Sequence, residues 1–178
     1  MDHRLNQRTN QDLSSYIEYA WGMSFNNAGN KLAIATFRKN QVVEFTVSGD
    51  QLTYAQKTSD SMSSANGLFS RPMDTGYDSN GNIYALDLFN NRIQKFNSSL
   101  TYQAKVGTWN NSSGFRYPYG MHIDSSDNIF VTDFYNFAVR KYDTSLNETQ
   151  TYGGGGGTRL DAAKKVIKKI VSNTDLTS

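Results

Sequence analysis

The stretch DSNGNIYALDLFNNRIQKF, residues 78 to 96, decides the fold because it recurs along the chain. It holds a polar turn, an apolar run, one aspartate, a second polar turn and another apolar run. Moved 46 residues along, it falls on DSSDNIFVTDFYNFAVRKY, residues 124 to 142. A weaker copy, WGMSFNNAGNKLAIATFRKNQVVEF, residues 21 to 45, matches it at an offset of 51. The chain therefore contains three copies of one repeat.

Each copy predicts four short β-strands, since β-branched and aromatic runs alternate with Asn, Asp, Gly and Ser clusters. In the third copy these are YGMHID, IFVTDF, AVRKYD and TQTY. The second strands, IYALD and IFVTD, are nearly continuous apolar runs, as expected of strands packed on both faces. A period of 40 to 50 residues made of four strands is typical of a β-propeller blade.

Two segments, RPMDTGYDSNGNIYALDLFNNRIQKF and YPYGMHIDSSDNIFVTDFYNFAVRKY, resemble NHL repeats. That family has a proline and glycine before the first strand, an aspartate with a Gly-Asn turn, a strand ending in Asp, an Asn-x-Arg-Ile/Val turn and a closing aromatic residue. The first copy departs from the pattern, with Trp21 at the proline position and Thr36 at the aspartate position. The resemblance implies a propeller, usually of six blades.

The predicted fold is therefore all-β: three four-stranded propeller blades, a partial or oligomer-completed propeller, with a C-terminal α-helix. The predicted organisation is a polar leader (1–15), blades at about 16–60, 61–107 and 108–152, a glycine linker (153–157) and an amphipathic helix (158–178). Three blades in an open arc would leave two apolar sheet faces exposed. A homodimer completing a six-bladed ring, missing blades of a parent chain, or capping by the segment SSYIEYA and the helix could each cover them.

The tail TRLDAAKKVIKKIVSNTDLTS has an apolar stripe opposite a face of four lysines, which predicts one amphipathic helix. It is interpreted as a docking helix, with membrane-surface binding as the alternative. It also resembles the first helix of von Willebrand factor A domains in bacterial pilus-associated adhesins. The Asp-x-Ser-x-Ser metal motif of those domains is absent, so no metal site follows. The resemblance implies a piece of a larger surface protein.

Asp87 and Asp133 end the second strands of their copies, where a carboxylate can accept hydrogen bonds from backbone amides of the turn. Asp78, followed by SNGN, predicts a tight turn in which Asn and Gly adopt positive φ. A calcium loop is the alternative for DSNGN, but no glutamate follows at the required spacing. Structural turns are therefore the interpretation at all three positions, with ligand or metal contact as the alternative for Asp87 and Asp133.

The loops between the second and third strands and the connections between blades should lie on one side of the arc. On that side the repeat places an unusual number of aromatic and arginine side chains. The predicted ligand-binding residues are Arg38, Phe89, Trp109, Arg116, Tyr117, Phe134 and Tyr135. Aromatic rings and guanidinium groups suit proteins, sugars or unstacked bases, because they offer amphipathic contact area at low entropy cost. The alternative is that some of these rings pack between blades.

Catalysis is not predicted. Propeller lyases and lactone hydrolases need several histidines or carboxylates in the central channel, but the chain has only His3 and His122. His122 is expected to line the channel or pack there, and no catalytic residue, metal or cofactor is predicted. Without the tail the body has a net charge of −1, which argues against RNA or anionic membrane as partner. A metal-dependent propeller enzyme and an RNA-binding NHL domain remain the alternatives.

The sequence thus predicts a non-catalytic module that binds protein or glycan through an aromatic loop face. No apolar run reaches the roughly 20 residues of a membrane span, and the polar N-terminus shows no secretory signal. The absence of cysteine fits a reducing compartment and many bacterial surface proteins equally. The resemblance of the tail makes an extracellular or cell-envelope location the expectation.

Overall fold

The computed structural model describes residues 11–108 and 114–154. Their strands form three separate antiparallel sheets of four, each in chain order. Blade 1 contains β1 (Ala20–Phe25), β2 (Lys31–Thr36), β3 (Gln41–Ser48) and β4 (Gln51–Lys57); blade 2 contains β5 (Pro72–Tyr77), β6 (Ile83–Asp87), β7 (Arg92–Phe96) and β8 (Tyr102–Val106); blade 3 contains β9 (Pro118–Ile123), β10 (Ile129–Asp133), β11 (Ala138–Tyr142) and β12 (Glu148–Gly153). The prediction of propeller blades in an all-β fold is confirmed. Trp109, most of the glycine linker and the predicted helix lie outside the described residues.

The turn at Asp78 shows why the repeat needs its polar residues. The Asp78 Oδ1 atom accepts hydrogen bonds from the backbone N–H groups of Asn80 and Asn82, and Gly81 adopts a φ of 78°. Asp124 organises the β9–β10 turn in the same way, accepting from Ser126 and Asn128. The aspartate and the amide side chains therefore build these turns, as the sequence predicts.

The core consists of the layers between neighbouring blades. One layer packs Ala33 and Val42 of blade 1 against Tyr77, Ile83 and Ala85 of blade 2. The other packs the opposite face of blade 2 against blade 3; its fully or nearly buried members include Tyr84, Leu86, Ile93, Ile129 and Val131. Strand β6 is consequently buried at every position, which explains its continuous apolar sequence.

A third cluster lies on the side of blade 1 that faces away from blade 2. There Leu13, Tyr16 and Ile17 cover the outer part of the sheet, and the Tyr16 ring meets Phe45 at 6.0 Å. Phe69 makes the corresponding contact with Phe96 in blade 2, at 5.6 Å. The segment around SSYIEYA therefore covers the outer part of this side of blade 1, as the connection before blade 2 covers the corresponding part of its own sheet.

The strand register corrects the alignment of the first copy. Ala20 pairs with Thr36, just as Pro72 pairs with Asp87 in blade 2, so Ala20 and not Trp21 stands at the proline position. The register of β1 shifts between Ala20 and Met23, as those of β5 and β9 shift after Pro72 and Pro118, so this irregularity belongs to the repeat. Among the described residues, no helix has the length and apolar character to cross a membrane.

Candidate functional site

Backbone hydrogen bonds fix the loops that form the candidate site. The amide of Leu88, after β6, donates to the carbonyl of Arg71 just before β5, and that of Phe134 donates to the carbonyl of Tyr117. Arg71 and Tyr117 both adopt left-handed φ values, 61° and 55°. Each loop between second and third strands is thereby held against the residue that enters the innermost strand of the same blade. Their side chains emerge side by side on one face of the arc.

The aspartates that end the second strands hold these loops in place from their buried side. The fully buried Asp87 accepts from the Ser70 amide at 2.7 Å, from Asn90 Nδ2 at 2.8 Å and from Arg92 Nε at 2.8 Å. Burial raises the pKa of Asp87, and the hydrogen bonds from Asn90, Ser70 and Arg92 oppose that rise. The backbone amide that donates to Asp87 is that of Ser70, in the connection that leads into β5. The sequence had suggested an amide of the turn after β6 instead.

Asp133 repeats the arrangement in blade 3. Its carboxylate accepts from the Arg116 amide at 2.7 Å, from Asn136 Nδ2 at 2.8 Å and from Arg140 Nε at 2.7 Å. In blade 1, Thr36 takes the aspartate position and donates to the Gln41 carbonyl instead. These aspartates hold loops in place and are not arranged to contact a ligand.

A row of aromatic rings runs over the loops from blade 1 to blade 3. Neighbouring ring centroids lie 5.0 to 6.3 Å apart, and most pairs meet edge to face. We call this set the aromatic row; in order, it contains Trp21, Phe37, Phe89, Tyr117, Tyr135, Phe134 and Tyr119. Five of its rings are well exposed, between 39% for Phe89 and 60% for Trp21. Phe37 and Tyr117 are half-buried and anchor the row on the core between blades 2 and 3.

Three arginines lie against rings of the same surface. Arg38 stacks over Tyr19 at 4.6 Å, Arg71 over Phe37 at 4.9 Å, and Arg116 over Tyr135 at 6.0 Å. We call the aromatic row together with Tyr19 and these arginines the loop face. Arg38 also lies 3.8 Å from Glu18, an exposed pair of little energetic weight.

The loop face is concave where blades 1 and 2 meet. An open cleft of about 430 Å³ lies there, lined by Tyr19, Trp21, Phe37, Arg38, Arg71 and Phe89. This volume is in the range of small-ligand and side-chain pockets. Aromatic walls with two guanidinium groups can bind an apolar side chain and a carboxylate or carbonyl beside it.

Six of the seven site residues predicted from the sequence lie on the loop face. Phe89, Tyr117, Tyr135 and Phe134 are consecutive members of the aromatic row, while Arg38 and Arg116 stack on rings beside it. Arg38 lies at the blade 1 end, and the structure separates it from the blade 3 group. Trp109 lies outside the described residues. Whether these residues bind a ligand remains a prediction.

The predicted ligand-binding residues leave out five members of the loop face: Tyr19, Trp21, Phe37, Arg71 and Tyr119. The repeat held a signal for two of them, because Tyr19 and Arg71 occupy the position of Tyr117, immediately before the innermost strand. Trp21 and Phe37 occupy the positions of Tyr119 and Phe134, and the two pairs make the same ring contact, at 5.7 and 5.2 Å, so the repeat held a signal for them as well.

The inner strands offer a second polar region, around Asp74. Asp74 Oδ2 accepts from the Met121 amide of the next blade at 2.8 Å, and Oδ1 accepts from the Thr75 amide at 2.9 Å. Burial raises the pKa of Asp74, while those hydrogen bonds and the nearby His122 oppose the rise. His122 is exposed on β9. Within residues 11–108 and 114–154, no group of three or more His, Asp or Glu side chains could hold a metal ion.

Comparison with known proteins identifies the architecture but no family. No family model matches the sequence, and neither does any curated protein. Solved structures similar to the chain include a catalytically inactive virginiamycin B lyase from Staphylococcus aureus with quinupristin, at 16% identity and a TM-score of 0.55, covering 73% of this chain and 40% of that one. A functionally unknown protein from Desulfotomaculum acetoxidans is 14% identical with a TM-score of 0.61, over 80% of this chain and 45% of that one. Hydrazine synthase from Kuenenia stuttgartiensis is 11% identical with a TM-score of 0.60, over 84% and 39%.

These similarities show the fold alone. The chain is built of β-propeller blades, and it spans about 40% of the length of the lyase and hydrazine synthase chains. Since propellers support both enzymes and binding proteins, the neighbours do not transfer an activity to this chain.

Proposed function

We propose that the chain is a non-catalytic binding module whose ligand is a protein segment bound across the loop face. The observation that carries this proposal is the aromatic row, seven rings in contact across three blades with three arginines at its side. Aromatic residues and arginine dominate the energetics of protein interfaces. A surface that concentrates both, with the exposed rings already braced by neighbours, suits binding at low entropy cost.

The stacking of the arginines favours protein over glycan. A sugar binds an aromatic residue through the flat face of the ring, but guanidinium groups lie over the faces of Tyr19, Phe37 and Tyr135. Arginine in that position keeps outward N–H groups that match carboxylates and peptide carbonyls. The expected ligand is therefore an extended protein segment with an apolar side chain for the cleft and acidic side chains beside it.

The resemblance of the repeats to NHL repeats supports the same proposal, since it implies an interaction propeller. The tail adds the proposal that the module belongs to a larger surface or adhesin-type protein outside the cell or in its envelope. These finer assignments depend on sequence resemblance and go beyond the propeller fold that the similar structures share.

The test is selection of ligands by the full chain from a displayed library of random peptides, with a glycan array run in parallel. A selected peptide should be rich in aromatic, aliphatic and acidic residues. Its affinity, measured by isothermal titration calorimetry, should fall at least about tenfold for Phe89→Ala and for Arg71→Gln, as expected of central hot-spot residues. Phe25→Ala is the matched control, because Phe25 is 56% exposed at the opposite end of β1.

Three outcomes would contradict the proposal. Peptide affinity that survives both substitutions would place the site elsewhere. Binding restricted to the glycan array would make the ligand a sugar. Binding to single-stranded RNA with a steep salt dependence would support the RNA-binding alternative instead.

A further inference from the structure

Each innermost strand points two side chains at the preceding blade, and we call these the docking pair. In blade 2 the pair is Thr75 and Tyr77, which are 3% and 7% exposed. Thr75 Oγ1 donates to the Ala33 carbonyl of blade 1 at 3.1 Å, and the Tyr77 hydroxyl donates to the buried Glu44 at 2.7 Å. The docking pair thus secures one blade on the sheet before it.

In blade 3 the docking pair is Met121 and Ile123, and both cover Gly76 of blade 2. A Cβ atom at Gly76 would lie 2.9 Å from Ile123 Cδ1 and 3.5 Å from Met121 Cε, so the side chains fill the space that any other residue would need. The receiving blade must therefore have a small residue at this position. Blade 1 has Ser24 there, whose hydroxyl lies 3.2 Å from Thr75 Oγ1.

Strand register identifies Met23 and Phe25 as the docking pair of blade 1. Met23 pairs with Ile34 in β2, as Thr75 pairs with Ala85 in β6 and Met121 with Val131 in β10. Yet Met23 is 66% exposed and Phe25 56% exposed. Blade 1 carries the apolar residues with which a blade docks on its predecessor, and no described residue covers them.

A hydrogen bond completes each docked interface on the loop side. Asn40 Oδ1 accepts from the Arg71 amide at 3.1 Å, and Asn91 Oδ1 accepts from the Tyr117 amide at 2.8 Å. The corresponding amide in blade 1 is that of Tyr19, which has the same left-handed φ, 51°. A blade docked on blade 1 would therefore need an asparagine whose oxygen reaches Tyr19.

Blade 3 lacks both features that a receiving blade needs. His122 stands at the position of Gly76 and Ser24, where a side chain would collide with an incoming docking pair. Phe137 stands at the position of Asn40 and Asn91, and phenylalanine has no oxygen to accept from an amide. The third blade of a second copy consequently does not match the exposed face of blade 1.

We propose that the β1 face bearing Met23 and Phe25 docks a further propeller blade, other than the three described, with glycine or serine opposite the pair and asparagine opposite Tyr19. The occupant is thus a blade of the same repeat type but not blade 3 of a second copy. This surface lies on the side of the sheet and is distinct from the loop face.

Converting blade 3 into a receiving blade tests the proposal. The full chain with His122→Gly and Phe137→Asn should self-associate at a concentration at least about tenfold lower than the natural chain, measured by light scattering on a sizing column. Asparagine tolerates the φ of 53° at position 137, so the fold should persist. In the associated form, oxidation of Met23 by peroxide should slow about fivefold relative to Met62, which is exposed elsewhere. Adding Met23→Asp should abolish the association.

A four-bladed chain provides the second test, with a copy of residues 59–114 placed before residue 15. The added blade should protect Met23 from oxidation, and histidine and phenylalanine at its copies of Gly76 and Asn91 should remove the protection. The proposal is overturned if Met23 is unprotected in both designs, or if association survives Met23→Asp. It is also overturned if the natural chain already dimerises with Met23 protected, since blade 3 would then be the occupant.

Discussion

The side-chain oxygen of Asn91 accepts a hydrogen bond of 2.8 Å from the backbone N–H of Tyr117, in the next blade. Asn40 makes the same bond to Arg71, one blade earlier. Tyr117 and Arg71 both contribute side chains to the loop face. The contacts that join the blades therefore also set the positions of candidate binding residues. A substitution that weakens one of these contacts should also displace the binding residues beside it.

The first prediction is that Asn91→Gly lowers the free energy of unfolding by about 1–3 kcal/mol, the cost of leaving the partly buried Tyr117 amide without its partner. Glycine keeps the left-handed conformation of Asn91, which has a φ of 51°, so the substitution removes the hydrogen bond without straining the backbone. Asn91→Ala should cost roughly 1–2 kcal/mol more because alanine is strained there. Urea denaturation measures both, and equal stabilities of the natural and glycine proteins would show that the bond contributes nothing.

The second prediction concerns the buried pair of Asp87 and Arg92. Asp87→Asn should destabilise the protein by about 3–5 kcal/mol, because Arg92 is only 2% exposed and would keep a charge with no counterion within reach. Asp133→Asn is the matched control in blade 3, since Arg140 also pairs with Glu148 at 2.9 Å. The control should lose less stability in the same urea experiment, and equal losses would mean that the second carboxylate does not compensate.

The third prediction is a loss of stability in alkali. Burial raises the pKa of Tyr77, Tyr84 and Tyr142, and the nearby carboxylates of Glu44, Asp78 and Glu148 raise it further. Their folded pKa exceeds the value of about 10 in the unfolded chain, so the folded state retains protons that the unfolded state loses. Stability should thus be complete below about pH 10 and fall as the pH rises above it, by about 1.4 kcal/mol per pH unit for each tyrosine.

Absorbance at 295 nm measures this effect, because it reports ionised tyrosine. Three of the 11 tyrosines should ionise only together with unfolding, detected by circular dichroism. Tyr84→Phe should make the decline in stability with pH shallower. Ionisation of all tyrosines before unfolding would show that the three hydroxyl groups are accessible in the folded state.

Most of the fold could be predicted from the sequence, because the turns and strands of each repeat depend on residues that are close together in the chain. Turn residues such as Asp78 and Gly81 act within a few residues of themselves, and the apolar run of β6 records burial on both faces. Phe89 and Tyr135 could be predicted as surface residues because they occupy equivalent positions in two copies. A pattern found in one copy of the repeat therefore gave a reliable prediction when a second copy showed it at the equivalent position.

The missed part of the candidate site depends on contacts between blades. Arg71 of blade 2 reaches the Phe37 ring of the previous blade, and Phe37 in turn meets the Phe89 ring of blade 2 at 6.3 Å. No spacing in the chain encodes these distances. The same limit explains the alignment of Trp21 with the prolines, since only strand pairing shows that Ala20 takes that position.

The fourth prediction compares two glycines on innermost strands. Gly76→Ala should cost about 1–3 kcal/mol, the usual penalty for overpacking, because the new methyl group would lie 2.9 Å from two carbons of Ile123. Gly120→Ala, where a Cβ atom meets nothing closer than 3.4 Å, should change stability by no more than about 0.5 kcal/mol. Neither glycine has a positive φ, so the comparison measures space alone. If both variants were equally stable, blade 3 would be able to move away from blade 2 without loss, and the close contact of the docking pair would not determine which blades can join.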